Sequence, residues 1–521
     1  MRITNRIMQR NNLSNINTNK MYQDRLSTQM SSQKKINRPS DDPVVAIRAL
    51  RLRSNVTEIT QYYTKNIPDA ESWLKVTEDA LSVLAGIITN MGSRCDKAVN
   101  SYMTTNERQI LLEEMRNLGE SVYATGDADY AGRYVFTGYR TDTPLSFLSA
   151  KEQNYTITEQ LDKSAIDSVT KVDTKELLDV NSGNYADGAH DITEDDISSV
   201  EVHRIRLAYG DCSDKGNPQI KFYDANGNEQ TWDSAGGIVK TMHSYDNPYA
   251  EAAKDPDSVI YVPETGELLL GENRYKELMA TKDSDTTATK NEAEIRVTYD
   301  KENWKKGDLR PEHYFYCKTQ ETDAAGNKKD VIYNDTYLTE GAERQSIEYD
   351  VGYNQTIRIN STADECFQHG IGREVDDIAN AMQEVLDLEN LQVELEKIRD
   401  SLPGGDTRLD TVGKQLDAVK KALTLAKEKE QKLFEHGITA FKDYLGKATL
   451  CVTNTGSRSS KLELVKNRTQ NQKTTFDTLK SNNEDIDITE VAIELEAAEL
   501  TYDAALMAAG KVMQTTLLNF I

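Results

Sequence analysis

From Leu74 onward one set of positions recurs every three or four residues, through Thr77, Leu81, Leu84, Ile88, Met91, Cys95, Ala98 and Tyr102. That spacing is a heptad seam along one face of a long helix. Two further seams, Leu388, Leu391, Leu395, Ile398, Leu402 and then Leu409, Val412, Leu416, Val419, Leu423, Ala426, flank the break Leu402-Pro403-Gly404-Gly405. Asp406 and Thr407 can cap the second of these helices, so the pattern predicts an antiparallel pair joined by a short hairpin. Proline is absent from 69–143 and from 404–521, which places long helices toward both ends of the chain. Ser40-Asp41-Asp42-Pro43 predicts another helix start, a carboxylate capping orphan amides and proline in the first turn, with Ile47, Leu50 and Val56 following. Two adjacent aspartates there read as caps rather than as a metal or acid–base site.

Between Leu148 and Asp364 the period changes. Glu201–Tyr209, Gln219–Tyr223, Ile295–Tyr299 and Thr356–Asn360 alternate β-branched or aromatic residues with polar ones and predict strands. Asn226-Gly227 and Thr265-Gly266 stand between strand-like runs as hairpin turns. The expected fold is mainly α with an inserted β-rich domain, long antiparallel helices coming from both chain ends.

At 521 residues the chain is long enough for several such units, and 37% hydrophobic with 28% charged residues is a polar composition that still fills modest cores. The charge is unevenly placed. Residues 1–40 hold eight Lys or Arg against one acid, Asp24, a net of +7, whereas 482–521 hold eight Asp or Glu against one base, Lys511, a net of −7. The C-terminal segment also carries a seam at Ile488, Val491, Leu495, Ala498, Tyr502, Ala505, Ala509 and Val512, ending in Leu517-Leu518-Asn519-Phe520-Ile521; the N-terminal one offers Ile3, Ile7, Leu13, Ile16, Leu26 and Met30. These ends are expected to form a helical pair, with charge setting orientation and apolar burial supplying most of the energy. The N-terminal segment, rich in Asn, Ser and Gln, is expected to order only on association.

Other chemistries find little support. A formal charge of −24 argues against a nucleic-acid surface, which needs clustered cations. Cys95, Cys212, Cys317, Cys366 and Cys451 lie far apart and are odd in number, and read as free, partly buried thiols. His190, His203, His243, His313, His369 and His436 show no paired helical spacing of a zinc hydrolase, and neither a phosphate loop nor a nucleophile elbow occurs. Asp224, Asn226 and Asn228 have the alternate spacing of a calcium loop, but the glycine is misplaced and no twelfth-position glutamate follows, so a plain hairpin is expected. No catalytic residue, cofactor or metal is expected. With no apolar signal core and no membrane-length apolar run, the chain is expected to be cytosolic or to leave the cell by an unusual route.

Leu26–Ala46, with Lys34-Lys35-Ile36-Asn37-Arg38 followed by Pro39, Ser40, Asp41, Asp42 and Pro43, resembles the N-terminal signature shared by flagellins and hook-associated proteins. The chain departs from that signature at Gln33, where the family usually has glycine. Gly132-Arg133-Tyr134-Val135-Phe136-Thr137-Gly138-Tyr139-Arg140-Thr141 resembles a signature of the hook-associated protein 3 family, the hook–filament junction members of that superfamily. Gly456–Leu462 and Ser481–Asp487 resemble its returning helices, so the similarity covers about 1–147 and 370–521.

The resemblance implies a rod-shaped, flagellin-like architecture: an inner domain from 1–42 and 482–521, a helical rod from 43–147 and 365–481, and an outer variable β-rich domain over 148–364. It implies export, largely unfolded, through the flagellar type III apparatus, with a chaperone on the C-terminal region. It further implies self-association into a ring between the preceding hook-associated protein and flagellin, outside the cell, without membrane or nucleic-acid partners. Ile3, Ile7, Leu13 and Ile16 with Val491, Leu495, Tyr502, Leu506, Val512 and Leu517 are the residues expected to carry assembly. Two alternatives from the sequence are a divergent flagellin of the filament and a surface-binding role for the β-rich middle.

Overall fold

A computed structural model describes residues 5–100, 103–187, 190–216, 218–224, 226–281, 295–322, 328–338 and 345–518. Its helices are α1 (Asn5–Ser32), α2 (Pro43–Gln61), α3 (Ile67–Asn100), α4 (Thr105–Gly126), α5 (Pro248–Lys254), α6 (Glu272–Met279), α7 (Ala363–Cys366), α8 (His369–Ser401), α9 (Arg408–Glu484) and α10 (Ile488–Leu518). Contacts group the chain into two compact units, one of Met1–Glu71, Tyr349–Ile357 and Ser460–Ile521, the other of Ser72–Glu348 and Arg358–Ser459. The fold is mainly α with an inserted β-rich part, as the change of period at Leu148 predicts.

In the first unit, Asp42 caps α2 by accepting from the Val44 and Val45 amides at 3.0 and 3.1 Å, with Pro43 opening the helix. Asp41 accepts from the Arg38 and Asn37 amides, so both aspartates are turn and cap residues. The expected helix forms, and its buried residues are Ala46 and Ala49, while Val44, Ile47 and Leu50 are exposed. Between α2 and α3 the chain makes one π-helical turn, Tyr62–Asn66. Pro68 lacks an N–H and crowds the carbonyl one turn back, and widening that turn relieves both problems without ending the helix. A hairpin of β14 (Glu348–Gly352) and β15 (Gln355–Arg358) is held here, the Asn66 amide donating to Asp350 O at 2.8 Å and the Tyr349 hydroxyl to Asp69.

In the second unit the predicted seams are buried: Leu74, Thr77, Leu81, Leu84, Ile88, Met91, Cys95 and Ala98 on α3, and those of α8 and α9 on either side of the turn at Gly405, apart from Leu402 and Leu409 beside the turn, which are half-buried. Asp406 caps α9 by accepting from Arg408 N at 2.9 Å. The α8–α9 core is shared with the insertion, because Val172, Leu177, Val180, Ile192 and Ile197 pack into the same cluster as Leu388, Leu395, Val412 and Val419.

The remaining strands are β1 (Asp129–Tyr130), β2 (Arg133–Tyr134), β3 (Lys151–Leu161), β4 (Ile166–Asp173), β5 (Ser198–Arg206), β6 (Gln219–Tyr223), β7 (Glu229–Trp232), β8 (Val239–Thr241), β9 (Val259–Val262), β10 (Glu267–Leu270), β11 (Ile295–Trp304), β12 (Tyr316–Thr322) and β13 (Lys328–Tyr333). They build a five-stranded sheet ordered β4-β5-β10-β9-β8 and a six-stranded one ordered β13-β12-β3-β11-β6-β7. All pairs are antiparallel except β8 with β9. Asn226-Gly227 and Thr265-Gly266 are the turns of β6–β7 and β9–β10. Asp224 accepts from the Asn226 and Asn228 amides at 2.8 and 2.9 Å, so the suspected calcium loop is a side-chain-braced hairpin. Arg204 and Arg206 on β5 bind Asp377 of α8 at 2.6 Å each, anchoring the five-stranded sheet to the helices.

Candidate assembly surface

The site begins with a joint. Where α1 ends, Gln33 takes φ +56°, a left-handed conformation that favours glycine, and turns the chain back. Lys35 N–H then donates to Glu484 O at 2.7 Å and Ile486 N–H to Gln33 O at 3.3 Å, a short antiparallel bridge between the two chain ends. Lys35 Nζ donates to Asn482 O at 2.6 Å, and Asp487 starts α10 by accepting from Thr489 N at 2.9 Å. Lys34 pairs with Asp485, and Arg53 forks onto Glu484 with both bonds at 2.7 Å. The hydrogen bond from Arg53 holds the Glu484 carboxyl below its usual range, and that from Lys34 does the same for Asp485.

Beyond the joint α1 and α10 lie side by side. Leu26, Val491 and Ala498 are buried between them, with Met30, Ile486 and Leu495 packed alongside. Tyr22 Oη donates to Glu494 at 3.2 Å and Gln23 Nε2 to Glu499 at 3.5 Å. Among the described residues no ion pair joins the basic groups of α1 to the acids of α10. The opposite charges act as a field along the pair, and direct pairing occurs at the joint, where Glu484 is 3% exposed.

Of the ten residues expected to carry assembly, Val491 is buried and Ile16, Leu495 and Tyr502 are half-buried. Ile7, Leu13 and Leu506 are exposed at 51%, 61% and 43%. Ile3 lies outside the described residues, as do the side chains of Val512 and Leu517. Exposed with them are Met8, Met21, Ile493, Leu500 and Met507, an amount of apolar surface that water-facing helices seldom carry without a partner. Sequence reasoning missed Arg53 and Glu484, which stand 431 residues apart with no spacing to link them.

The second motif is a structural corner. Ala131 and Gly132, at φ +53° and +76°, turn the β1–β2 hairpin. Arg133 then lies over the rings of Trp73 and Tyr130 at 5.0 and 5.8 Å. Phe136 is fully buried edge-on to Phe367, at 4.9 Å between centroids, and its carbonyl accepts from Ala363 N at 2.9 Å. Gly138, at φ +62°, leaves no room for a Cβ beside Gln345, whose Oε1 accepts from Tyr139 N at 2.7 Å. The Tyr139 ring is exposed while its hydroxyl meets Ser346, and Tyr134 is half-buried. The motif therefore joins the end of α4 to the chain returning from the insertion.

A cleft of about 1220 Å³ in the second unit is lined by charges of both signs, including Arg204, Glu267, Lys301, Asp308 and Asp377. Arg204 pairs with Glu267 and Asp377, and Lys301 donates to Gly210 O at 2.6 Å, so these side chains serve the fold. Among the described residues no group of three or more His, Cys, Asp or Glu is placed to hold a metal ion. No described helix is long and apolar enough to cross a membrane.

Residues 3–141 match the family described as the bacterial flagellin N-terminal helical region. More particularly, the chain is 27% identical over 143 residues to flagellar hook-associated protein 3 of Salmonella typhimurium and 28% identical over 144 residues to that of Escherichia coli. Each match takes in 27% of this chain and 45% of the relative, so less than half of the curated relatives' length is matched. A solved structure of a flagellar hook-associated protein from Vibrio parahaemolyticus aligns over 85% of this chain and all of its own, at 12% identity and a TM-score of 0.36. Likeness at that level leaves the architecture to rest on this chain's own residues.

Proposed function

We propose that the chain is a structural component of the bacterial flagellum, exported to the cell exterior, where it adapts the hook to the filament. The observation that carries this reading is the α1–α10 pair: helices from opposite ends of the chain are laced at one joint, yet leave Ile7, Leu13, Ile493, Leu500 and Met507 facing outward. Neighbouring copies packing on that surface would form a ring, with the preceding hook-associated protein on one side and flagellin on the other. The likeness over 143 and 144 residues to the hook-associated protein 3 of two bacteria supports the junction role over that of a filament subunit.

In this reading 1–42 with 482–521 form the inner assembly domain, 43–147 with 365–481 the helical rod and 148–364 the outward β-rich part. The motif at Pro39–Pro43 and the corner at Gly132–Tyr139 fix chain direction rather than bind a ligand. Apolar burial between copies supplies the energy and no covalent chemistry is required. A type III export route and a chaperone for the C-terminal helix complete the proposal.

Deleting the gene and imaging the cells by electron microscopy, while probing the medium for flagellin, tests the role. Bare hooks with unpolymerised flagellin in the medium are expected. Intact filaments would overturn it.

A further inference from the structure

One side of α10 is taken up by α1, where Val491 and Ala498 are buried. The helix carries a second seam. Ile493, Ala497, Leu500, Ala504 and Met507 follow one another in steps of four and three, the spacing of a coiled-coil stripe, and all five are exposed. The three large ones are 64%, 74% and 68% exposed. At about 100° of turn per residue this stripe lies on the side of α10 away from Val491 and Ala498. Glu496 and Asp503 run along its edge, both exposed, and among the described residues neither side chain has an ion-pair or hydrogen-bond partner. A helix that is apolar on two sides calls for two partners, and α1 covers one side.

Among the described residues of the first unit, α2 offers a stripe that matches. Val44, Ile47 and Leu50 are exposed within about 120° of its circumference, and Arg48 and Arg51 stand exposed beside them without a carboxylate partner. At 1.5 Å of rise per residue the α2 stripe is about 9 Å long and the stretch from Ile493 to Leu500 about 10 Å. The exposed apolar residues of α1 make no such stripe: by the same turn per residue Ile7, Leu13 and Met21 project to different sides of the helix. Both stripes are exposed in the folded chain, so each is open to another molecule.

We propose that the α2 stripe of one copy docks on the outer seam of α10 of the next copy, with Arg48 and Arg51 meeting Glu496 and Asp503. The proposal rests on the assembly role given above and names the two surfaces that meet in it. Charge selects the pairing, because α2 on α2 sets arginine against arginine and α10 on α10 sets carboxylate against carboxylate. Ala497 and Ala504, lying between the large residues of the seam, leave room for the side chains of α2 to seat. The contact joins unlike surfaces, so each copy keeps one of each free for the next, and successive copies can close into a ring where a two-fold dimer cannot.

The test is a charge exchange in flagellated cells carrying the full chain. Arg48→Glu with Arg51→Glu is expected to leave bare hooks with flagellin in the medium, and Glu496→Arg with Asp503→Arg to do the same, circular dichroism confirming that both purified variants fold. All four changes in one chain should bring filaments back. In isolated hook–filament structures a chain with both Ile47→Cys and Leu500→Cys should give linked multimers with a bismaleimide, and neither single variant should. Normal filament number in either charge variant, no return of filaments with all four changes, or no linked multimers would overturn the contact. Bare hooks on deletion of the gene beside normal filaments in the Arg48→Glu, Arg51→Glu variant would remove this contact and leave the junction role standing; intact filaments on deletion would remove both.

Discussion

Arg53 and Glu484 face each other across the joint with two parallel hydrogen bonds of 2.7 Å, although 431 residues separate them in the chain. Glu484 is buried and Arg53 is 55% exposed, so solvent screens one partner and leaves the other dependent on the contact. Glu484→Ala is expected to weaken the joint by about 1 to 2 kcal/mol. Amide hydrogen exchange should quicken in α1 and the start of α10 while the second unit is unchanged. Equal exchange in both proteins would refute a holding role for the pair.

The joint should also respond to acid. The carboxyls of Glu484 and Asp485 are both held below their unfolded values, so their contribution is present above those values and lost as pH falls through the folded ones. Protection of α1 is expected to drop on acidification below about pH 4, and a protection profile flat to lower pH would contradict the assignment.

Glu159 on β3 has the opposite sign. It is 3% exposed and accepts from Ala208 N at 2.8 Å and from the Tyr299 hydroxyl, and burial pushes its carboxyl up to about 7. Between the unfolded value of 4.5 and about 7 the folded chain holds a proton that the unfolded chain has lost, so stability falls as pH rises across that window and then levels. The effect is on the order of 3 kcal/mol. Urea unfolding at pH 4 and pH 8 should show it in the wild type, and Glu159→Gln should lack that part of the difference.

Arg108 on α4 is enclosed between α8 and α9, donating to Glu430 at 2.9 and 3.2 Å and to Glu389 at 3.0 Å. Arg108→Ala leaves the buried Glu430 without its hydrogen-bond partner, while Glu389 keeps Lys427 and Thr105, and is expected to cost about 3 to 5 kcal/mol in chemical denaturation. Arg108→Lys keeps the charge without the planar fork and should fall in between.

Leu495 packs beside Leu26, Val491 and Ala498 in the terminal pair. Leu495→Asp puts a charge into that seam and removes apolar contact worth about 2 to 5 kcal/mol. The variant chain should still reach the medium, detected by immunoblot, while filaments fail to form in electron micrographs. Normal filament growth in this variant would remove the terminal pair from the assembly role.

How much of this was legible in the sequence depended on whether a feature is local. The seams at Leu74–Ala98 and Leu388–Ala426 were readable because burial on a helix face repeats at a fixed period, and Asp42-Pro43 because a cap acts within one turn. Gln33 could be marked as a departure from glycine, and its φ of +56° shows that the turn is kept even though the residue is not. The α2 helix was readable from its cap, but the side that packs was not, since small alanines rather than the larger Ile47 and Leu50 are buried on it. Arg53 with Glu484 and the sharing of one core by Val172 and Leu388 depend on pairings distant in the chain, which no spacing rule reports.

The bridge between Lys34 and Asp485 closes a separation of 451 residues. Such closure costs little more free energy than a shorter one, because the entropy of a loop grows only with the logarithm of its length, but it does set an order of events. The chain's first segment has no lasting partner until its last segment has arrived. Because synthesis delivers the N-terminal end first, α1 waits through nearly the whole of it, kept in water by its asparagines and arginines, and is completed last.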